Sequence, residues 1–159
     1  MPPTFTTFMP LALEQARAAA RRGEVPVGAV IVSARGEVLA AAGNETRARP
    51  DPSAHAEILA IRAACARIGA ERLIGCSLWV TLEPCPMCAA AIGHARLSRL
   101  YYGASDPKSG GIETGPRVFD HPNLHHRPEI ISGLQAEECG HLLEQFFKSK
   151  RLQSGSGNS

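Results

Sequence analysis

The chain has no long apolar run, no paired cysteine framework and no strong excess of charge, and each absence removes a class of protein. No stretch approaches the roughly 20 apolar residues that a membrane-spanning helix needs. The cysteines number 5, namely Cys65, Cys76, Cys85, Cys88 and Cys139. An odd count behind an N-terminus without a signal-peptide pattern argues against a secreted disulfide scaffold and predicts a reducing, cytoplasmic setting. Formal net charge is only +2. Extended duplex-binding proteins carry far more, although this value permits a small nucleic-acid partner. What remains, at 159 residues with 44% hydrophobic and 20% charged, is an ordinary globular composition able to bury its own core.

Periodicity supplies the scaffold. Residues 1–7 read as a frayed leader. Helical spacing runs from Phe8 to Arg22, with Leu11, Ala12, Ala16 and Ala19 predicted inward and Gly23 ending the helix. Ala29–Val32 and Val38–Ala42 read as a hairpin turned at Arg35-Gly36. After a loop, Ser53 is the predicted N-cap of a helix to about Ile68, with Ile58, Leu59, Ile61 and Cys65 inward. Ser77–Leu82 is a strand, and Pro86 at a first helical position makes Cys85 the N-cap of a helix to about Ala95. Arg99–Gly103 and Glu129–Gly133 complete the strands, and an amphipathic helix runs to about Lys150. Between Ala104 and Pro128 glycine and proline break the pattern, apart from a turn near Pro116–Phe119. Loops of this length in compact domains are usually functional. Cys65, Cys76 and Cys139 read as core fillers. The expected fold is a three-layer α/β/α domain with a mixed, roughly five-stranded central sheet. It occupies residues 1–151 as a single domain, with 152–159 as a flexible tail.

One pattern carries chemistry: His55-Ala-Glu57 and, later, Pro84-Cys85-Pro-Met-Cys88. One histidine and two cysteines are three ligands for a tetrahedral metal. Structural zinc sites are closed by four protein ligands, whereas catalytic ones keep a position for water. His94, His121, His125, His126 and His141 are available as a fourth ligand, but a structural site would leave the H-x-E element unused. His125-His126, in a Pro-rich loop, reads as a surface or polar-network pair rather than a second metal site. Both motifs fall at predicted helix starts, where side chains lean back over the helix mouth and His55 and Glu57 can converge. Two positive helix ends also offset the charge of two thiolates. Zinc brings the pKa of a bound water near neutrality, which leaves Glu57 to take and relay the proton.

H-x-E…P-C-x-x-C is the signature of zinc-dependent nucleobase deaminases, so the reaction class enters by resemblance. From Phe8 to about Arg151 the chain resembles the bacterial tRNA-specific adenosine deaminases, of cytidine deaminase-like fold. The matching stretches are Glu24-Val-Pro-Val-Gly-Ala-Val30, Gly43-Asn44, Ala54-His-Ala-Glu-Ile58, Val80 to Cys88, Tyr102 to Gly110 and Phe146 to Arg151. The resemblance implies one Zn2+ per subunit on His55, Cys85 and Cys88, and Glu57 as the catalytic proton shuttle. It implies that Asn44 bonds the flipped base and that Val27 lines the base pocket. The implied reaction turns adenosine into inosine at the wobble position of a tRNA anticodon stem-loop, releasing ammonia, in a homodimer. Where some relatives carry a Gly-Ser-Leu-Met-type segment, this chain reads Gly111 to Phe119 differently, so no RNA contacts are carried over between Ile112 and Arg127.

Around this frame, Asp106 is a candidate for shaping the loop over the ribose or flanking nucleotides, and Lys108 and Arg127 are candidates for phosphates. Phe147, beside Phe146, Lys148, Lys150 and Arg151, has the aromatic–basic character that holds single-stranded nucleic acid. The competing reading makes the two phenylalanines the end of a core face and the basic residues complements of a helix C-terminus. The motif leaves two other functions open: a free-base or nucleotide deaminase of guanine, cytosine or deoxycytidylate type, and a zinc-stabilised RNA-binding module without catalysis.

Overall fold

Strand β1 (Gly28–Val32) is buried at every position, so it must be covered on both faces. In the computed structural model, which describes residues 5–155, it pairs antiparallel with β2 (Val38–Gly43) on one side and with β3 (Ser77–Leu82) on the other. Strands β3, β4 (Arg99–Ala104) and β5 (Glu129–Ser132) run parallel, giving the mixed order β2-β1-β3-β4-β5. The described helices are α1 (Met9–Arg21), α2 (Ala56–Ile68), α3 (Pro86–His94) and α4 (Ala136–Gly155). Helices α1 and α4 pack on one face, α2 and α3 on the other. The three-layer expectation holds.

Each face has its own core. Under α2 and α3, Ala56, Ala60, Ala89 and Ile92 meet Ile31, Leu78, Val80 and Tyr102. Under α1 and α4, Met9, Leu13 and Cys139 meet Val30 and Val32 around Trp79 and Tyr101. Those two rings stack with centroids 3.7 Å apart. Phe5 reaches the same pair.

The inward faces differ from expectation in two helices. In α1 the buried residue is Leu13, while Leu11 is exposed, because Met9, Ala12, Leu13 and Ala16 share the helical stripe and Leu11 lies off it. In α2 the fully buried stripe is Ala56, Ala60 and Ala64, with Ile58, Leu59, Ile61 and Cys65 only half-buried on its flanks. Small residues let the helix lie close to the sheet. Cys76 and Cys139 are core fillers as predicted, and Cys65 packs at the core edge. The expected tail is shorter: residues 152–155 continue α4. Residues 156–159, and residues 1–4 of the leader, lie outside the described residues. None of the described helices is long and apolar enough to cross a membrane.

Close approach of α1 to the sheet depends on Gly28. A Cβ there would run into the carbonyl oxygen of Ala12 and come within 2.6 Å of the Ala16 nitrogen. Gly28→Ala should therefore destabilise the fold by about 1–3 kcal/mol through overpacking. Urea unfolding with an unchanged m-value is the check, and an unshifted midpoint would mean that α1 moves freely on the sheet.

Candidate metal centre and base pocket

The site begins with two helix starts. His55 is the N-cap of α2 and Cys85 the N-cap of α3, both in extended backbone, and neither side chain caps its own helix. Pro86 fixes the first residue of α3 and places Cys88 in the same first turn. Ser53 is not the cap predicted for α2. Its amide and hydroxyl both donate to Asp51 Oδ1, at 2.8 and 2.7 Å, so its oxygen is used in the turn before the helix. The amide of Ala56 is capped instead from across the pocket, by Asn44 Oδ1 at 2.8 Å. A backbone N–H can only donate, so this bond fixes the orientation of the Asn44 amide. Its Nδ2 is left facing the pocket with no protein acceptor among the described residues.

His55 Nδ1 lies 3.6 Å from Cys85 Sγ and 3.5 Å from Cys88 Sγ. With zinc–nitrogen and zinc–sulfur bonds of about 2.0–2.3 Å, the N···S edge of a tetrahedron is roughly 3.6 Å. The donor set therefore fits zinc in both type and spacing, and it is the sole such cluster among the described residues. Cys85 is held down to about 4, first by the hydrogen bond from the Cys88 thiol and then, against burial, by His55. The same bond and burial push Cys88 up, and contact with Cys85 raises His55. Without metal, the two sulfurs thus share one proton. Glu57 stands beside them, only 4% exposed, its carboxyl pushed up to about 7 mainly by burial.

Val27, Asn44, His55, Glu57, Cys85 and Asp106 line one pocket of about 230 Å3. It meets a second hollow of about 830 Å3 that holds Lys108, Phe147, Lys150 and Arg151. Val25, Leu82, Asp106 and Ser109 belong to both. Phe147 is half-exposed, Phe146 meets it edge-on, and Lys150 Nζ lies 5.4 Å from the Phe146 ring centre. Neither phenylalanine joins the buried clusters. Asp106 spends Oδ1 on the amides of Lys108 and Ser109. Arg127 is not brought to the pocket and pairs with Asp120. His126 bonds the Leu97 carbonyl, the polar-network role expected of that pair.

Two site residues went unassigned in the sequence. Glu83, 2% exposed, accepts bonds from the amides of Asp106, Ile112, Glu113 and Thr114 and from the Thr114 hydroxyl. Burial works to raise its pKa, but those donors outweigh burial and hold it below the usual carboxylate range. Glu24, 1% exposed, accepts from the amides of Arg47 and Ala48. For Glu83 the available signal is an acidic residue directly after a strand and before the Pro-Cys motif; Glu24, between α1 and β1, has no local signal, because its partners Arg47 and Ala48 follow β2.

Zinc binding must displace the shared thiol proton and any proton on His55. The metal-free protein should therefore release protons on taking up zinc at pH 7.5. Because His55 is raised, affinity should fall as pH drops through its folded pKa. Cys88→Ala should lose stoichiometric metal, whereas Glu57→Ala should retain it. Metal analysis after dialysis checks both, and zinc retained by Cys88→Ala would contradict the ligand set.

Comparison with known proteins agrees with this geometry. The cytidine and deoxycytidylate deaminase zinc-binding region matches residues 4–104. A tRNA-specific adenosine deaminase of Agrobacterium fabrum is 56% identical, over 92% of this chain and 96% of that one. A solved structure from a study of A-to-I editing by tRNA:A34 deaminases at the wobble position is also 56% identical. It covers 86% of this chain and 98% of its own, with a TM-score of 0.84. A guanine deaminase of Bacillus subtilis is more distant, at 40% identity over 65% of this chain and 66% of its own, with a TM-score of 0.61. A zinc-fitting triad at two helix starts, a buried glutamate beside it and likeness along nearly the whole chain lead to one assignment: the chain belongs to the zinc-dependent deaminases, in the family of the tRNA-specific adenosine deaminases.

Proposed function

We propose that this protein hydrolyses adenosine to inosine at the wobble position of a tRNA anticodon stem-loop, releasing ammonia. The observation that carries this reading is the shared wall between the small metal-side pocket and the larger aromatic–basic hollow. A free base fills one pocket and needs nothing beyond it. A nucleotide within RNA needs a route for the chain on either side, and Phe147, Lys108, Lys150 and Arg151 supply stacking and charge there.

Zinc held by His55, Cys85 and Cys88 would leave one position for water and make that water acidic near neutral pH. The chain's own residues do the rest. Glu57 takes the proton as the water oxygen bonds to C6 of the adenine. It gives that proton to N1, then carries the remaining hydroxyl proton to N6, and the C6–N6 bond breaks as the C6 carbonyl forms and ammonia leaves. Asn44 Nδ2, its orientation fixed by the Ala56 amide, donates to an acceptor on the base edge. Val27 packs against the base. Asp106 fixes the loop bearing Lys108 and Ser109.

Residues 1–151 act as a single catalytic domain, in the cytoplasm, as a homodimer. The α2–α3 side supports the dimer. Ile58, Ile61, Ala91 and Ala95 line a groove there with Arg62, Glu71 and His94, and the same two helices expose Ile68 and Met87.

Incubation with a stem-loop RNA bearing wobble adenosine, alongside free guanine and cytidine, should yield inosine in the RNA alone. Ammonia only from the free compounds would overturn the reading. Glu57→Ala should fold and hold zinc yet lose about 100- to 10,000-fold in turnover; a metal-replete variant that still deaminates would sink the proton-shuttle role, whereas a passive RNA-binding module would release no ammonia in either protein. Phe147→Ala should weaken RNA binding by about 1–3 kcal/mol with zinc content unchanged. Equal affinity in a titration against wild type would remove the stacking role.

A further inference from the structure

Besides Glu57 of α2 and Leu82 of β3, the base pocket has two walls that are not regular elements. One is the segment after β2 that carries Asn44 and Thr46, and the other is the segment after β4 that carries Asp106 and Ser109. Each wall is tied to a buried glutamate. Glu24 Oε1 accepts the Arg47 amide at 3.0 Å, and its Oε2 accepts the Ala48 amide at 2.9 Å. Glu83 Oε1 accepts the Asp106 amide at 3.0 Å. Its Oε2 gathers the amides of Ile112, Glu113 and Thr114 and the hydroxyl of Thr114, all within 3.1 Å. The fit around Glu83 is tight: a Cβ on Gly110 would lie 2.6 Å from its Cδ. The Thr114 hydroxyl is shared with the carbonyl of Asp106, closing the loop on itself.

We propose that Glu24 and Glu83 are a pair of positioning residues that hold the two pocket walls in their substrate-binding arrangement, and so govern affinity for the RNA rather than the chemical step. The proposal rests on the adenosine reading for its substrate. Both carboxylates are acceptor-only groups facing only donors, so one buried charge satisfies several amides of a loop that has no ladder of its own. Among the described residues neither is hydrogen-bonded to a metal ligand, and Glu83, which also borders the pocket, has both carboxylate oxygens engaged by loop donors. Releasing one tether leaves part of the population with a wall out of place. The apparent affinity then falls by the fraction that remains competent, while the competent fraction reacts as before.

Glutamine is the discriminating replacement because it keeps size and one acceptor. In Glu83→Gln the amide oxygen is best placed at the Oε2 position, where it keeps the bonds to residues 112–114. The NH2 group then confronts the Asp106 amide, donor against donor. Glu24→Gln likewise keeps one of its two loop amides and repels the other. Each variant is made as the zinc-loaded full chain and examined by metal analysis, amide hydrogen exchange and steady-state kinetics on the wobble-adenosine stem-loop. The expected result for Glu83→Gln is one zinc per chain, an Asp106 amide that exchanges at least about tenfold faster with residues 112–114 still protected, a KM raised about tenfold and a kcat within about twofold. Glu24→Gln should show the same kinetic split, with faster exchange at Arg47 or Ala48.

An unchanged exchange rate, an unchanged KM, a collapse of kcat or a loss of zinc would each overturn the positioning role. Should the Glu83 variant fail to fold, Thr114→Val keeps the carboxylate and removes the hydroxyl that lies between Glu83 and the Asp106 carbonyl, the same carbonyl that accepts the Gly110 amide at 2.8 Å. It should raise KM about threefold and speed exchange at Gly110, and no change in either would count against the proposal. If wild type itself leaves the stem-loop adenosine intact, the functional reading fails, while the exchange measurements still decide whether the glutamates hold the walls.

Discussion

Two helix starts aimed at one point are the constraint on which the rest of this structure depends. The first turn of an α-helix leaves backbone amides without partners, and its positive end favours anionic groups. Here α2 and α3 bring that property to a common place. His55 and Cys85 stand at the two cap positions, yet neither caps its own helix. Their side chains are thereby free to meet, with Cys88 joining from the same turn as Pro86. The cost is an uncapped α2, and Asn44 meets it from the neighbouring wall. One hydrogen bond thus completes the helix, fixes an amide orientation and presents Nδ2 to the pocket.

Burial does the second part of the work. The alanine stripe of α2 sets that helix close to the sheet and carries Glu57 inward with Ala56 and Ala60. A carboxyl so placed loses water and holds its proton more tightly, up to about 7 in the metal-free protein. A group that both accepts and returns a proton near neutral pH is suited to shuttle one. Glu83 is the contrasting case. It is equally buried but surrounded by five donors, so its carboxyl stays ionised and serves as an anchor. Two acids near one site have opposite tasks because their neighbours differ.

Much of this was legible in the residues. Apolar runs and helical spacing predict the five strands and the first three helices of the described residues to within a few residues, while α4 runs five residues past its expected end and the buried stripes of α1 and α2 fall in part on other side chains. Pro86 announced the start of α3, and with it the geometry of Cys85. The chemistry was legible because H-x-E and P-C-x-x-C are short-range patterns. What spacing could not convey was partnership across the chain. Ser53 has a good capping residue type, but Asp51 claims its hydroxyl two residues earlier. Asn44 is an ordinary loop residue until the fold sets it against Ala56. Leu11 and Leu13 are equivalent in composition, and only the phase of α1 against β1 separates them. Glu24 and Glu83 carry no motif that says how many distant amides they accept.

The central claim is that water, with Glu57 as proton carrier, replaces the amino group of an adenine still attached to RNA. Reaction in 18O-enriched water with the wobble-adenosine stem-loop tests this most directly, read by mass on the digested RNA. The expected result is one 18O atom in each inosine formed and one ammonia released with it, both formed at least about 100-fold more slowly by metal-replete Glu57→Ala. Inosine free of label, or labelled product from free bases with the RNA left intact, would contradict it.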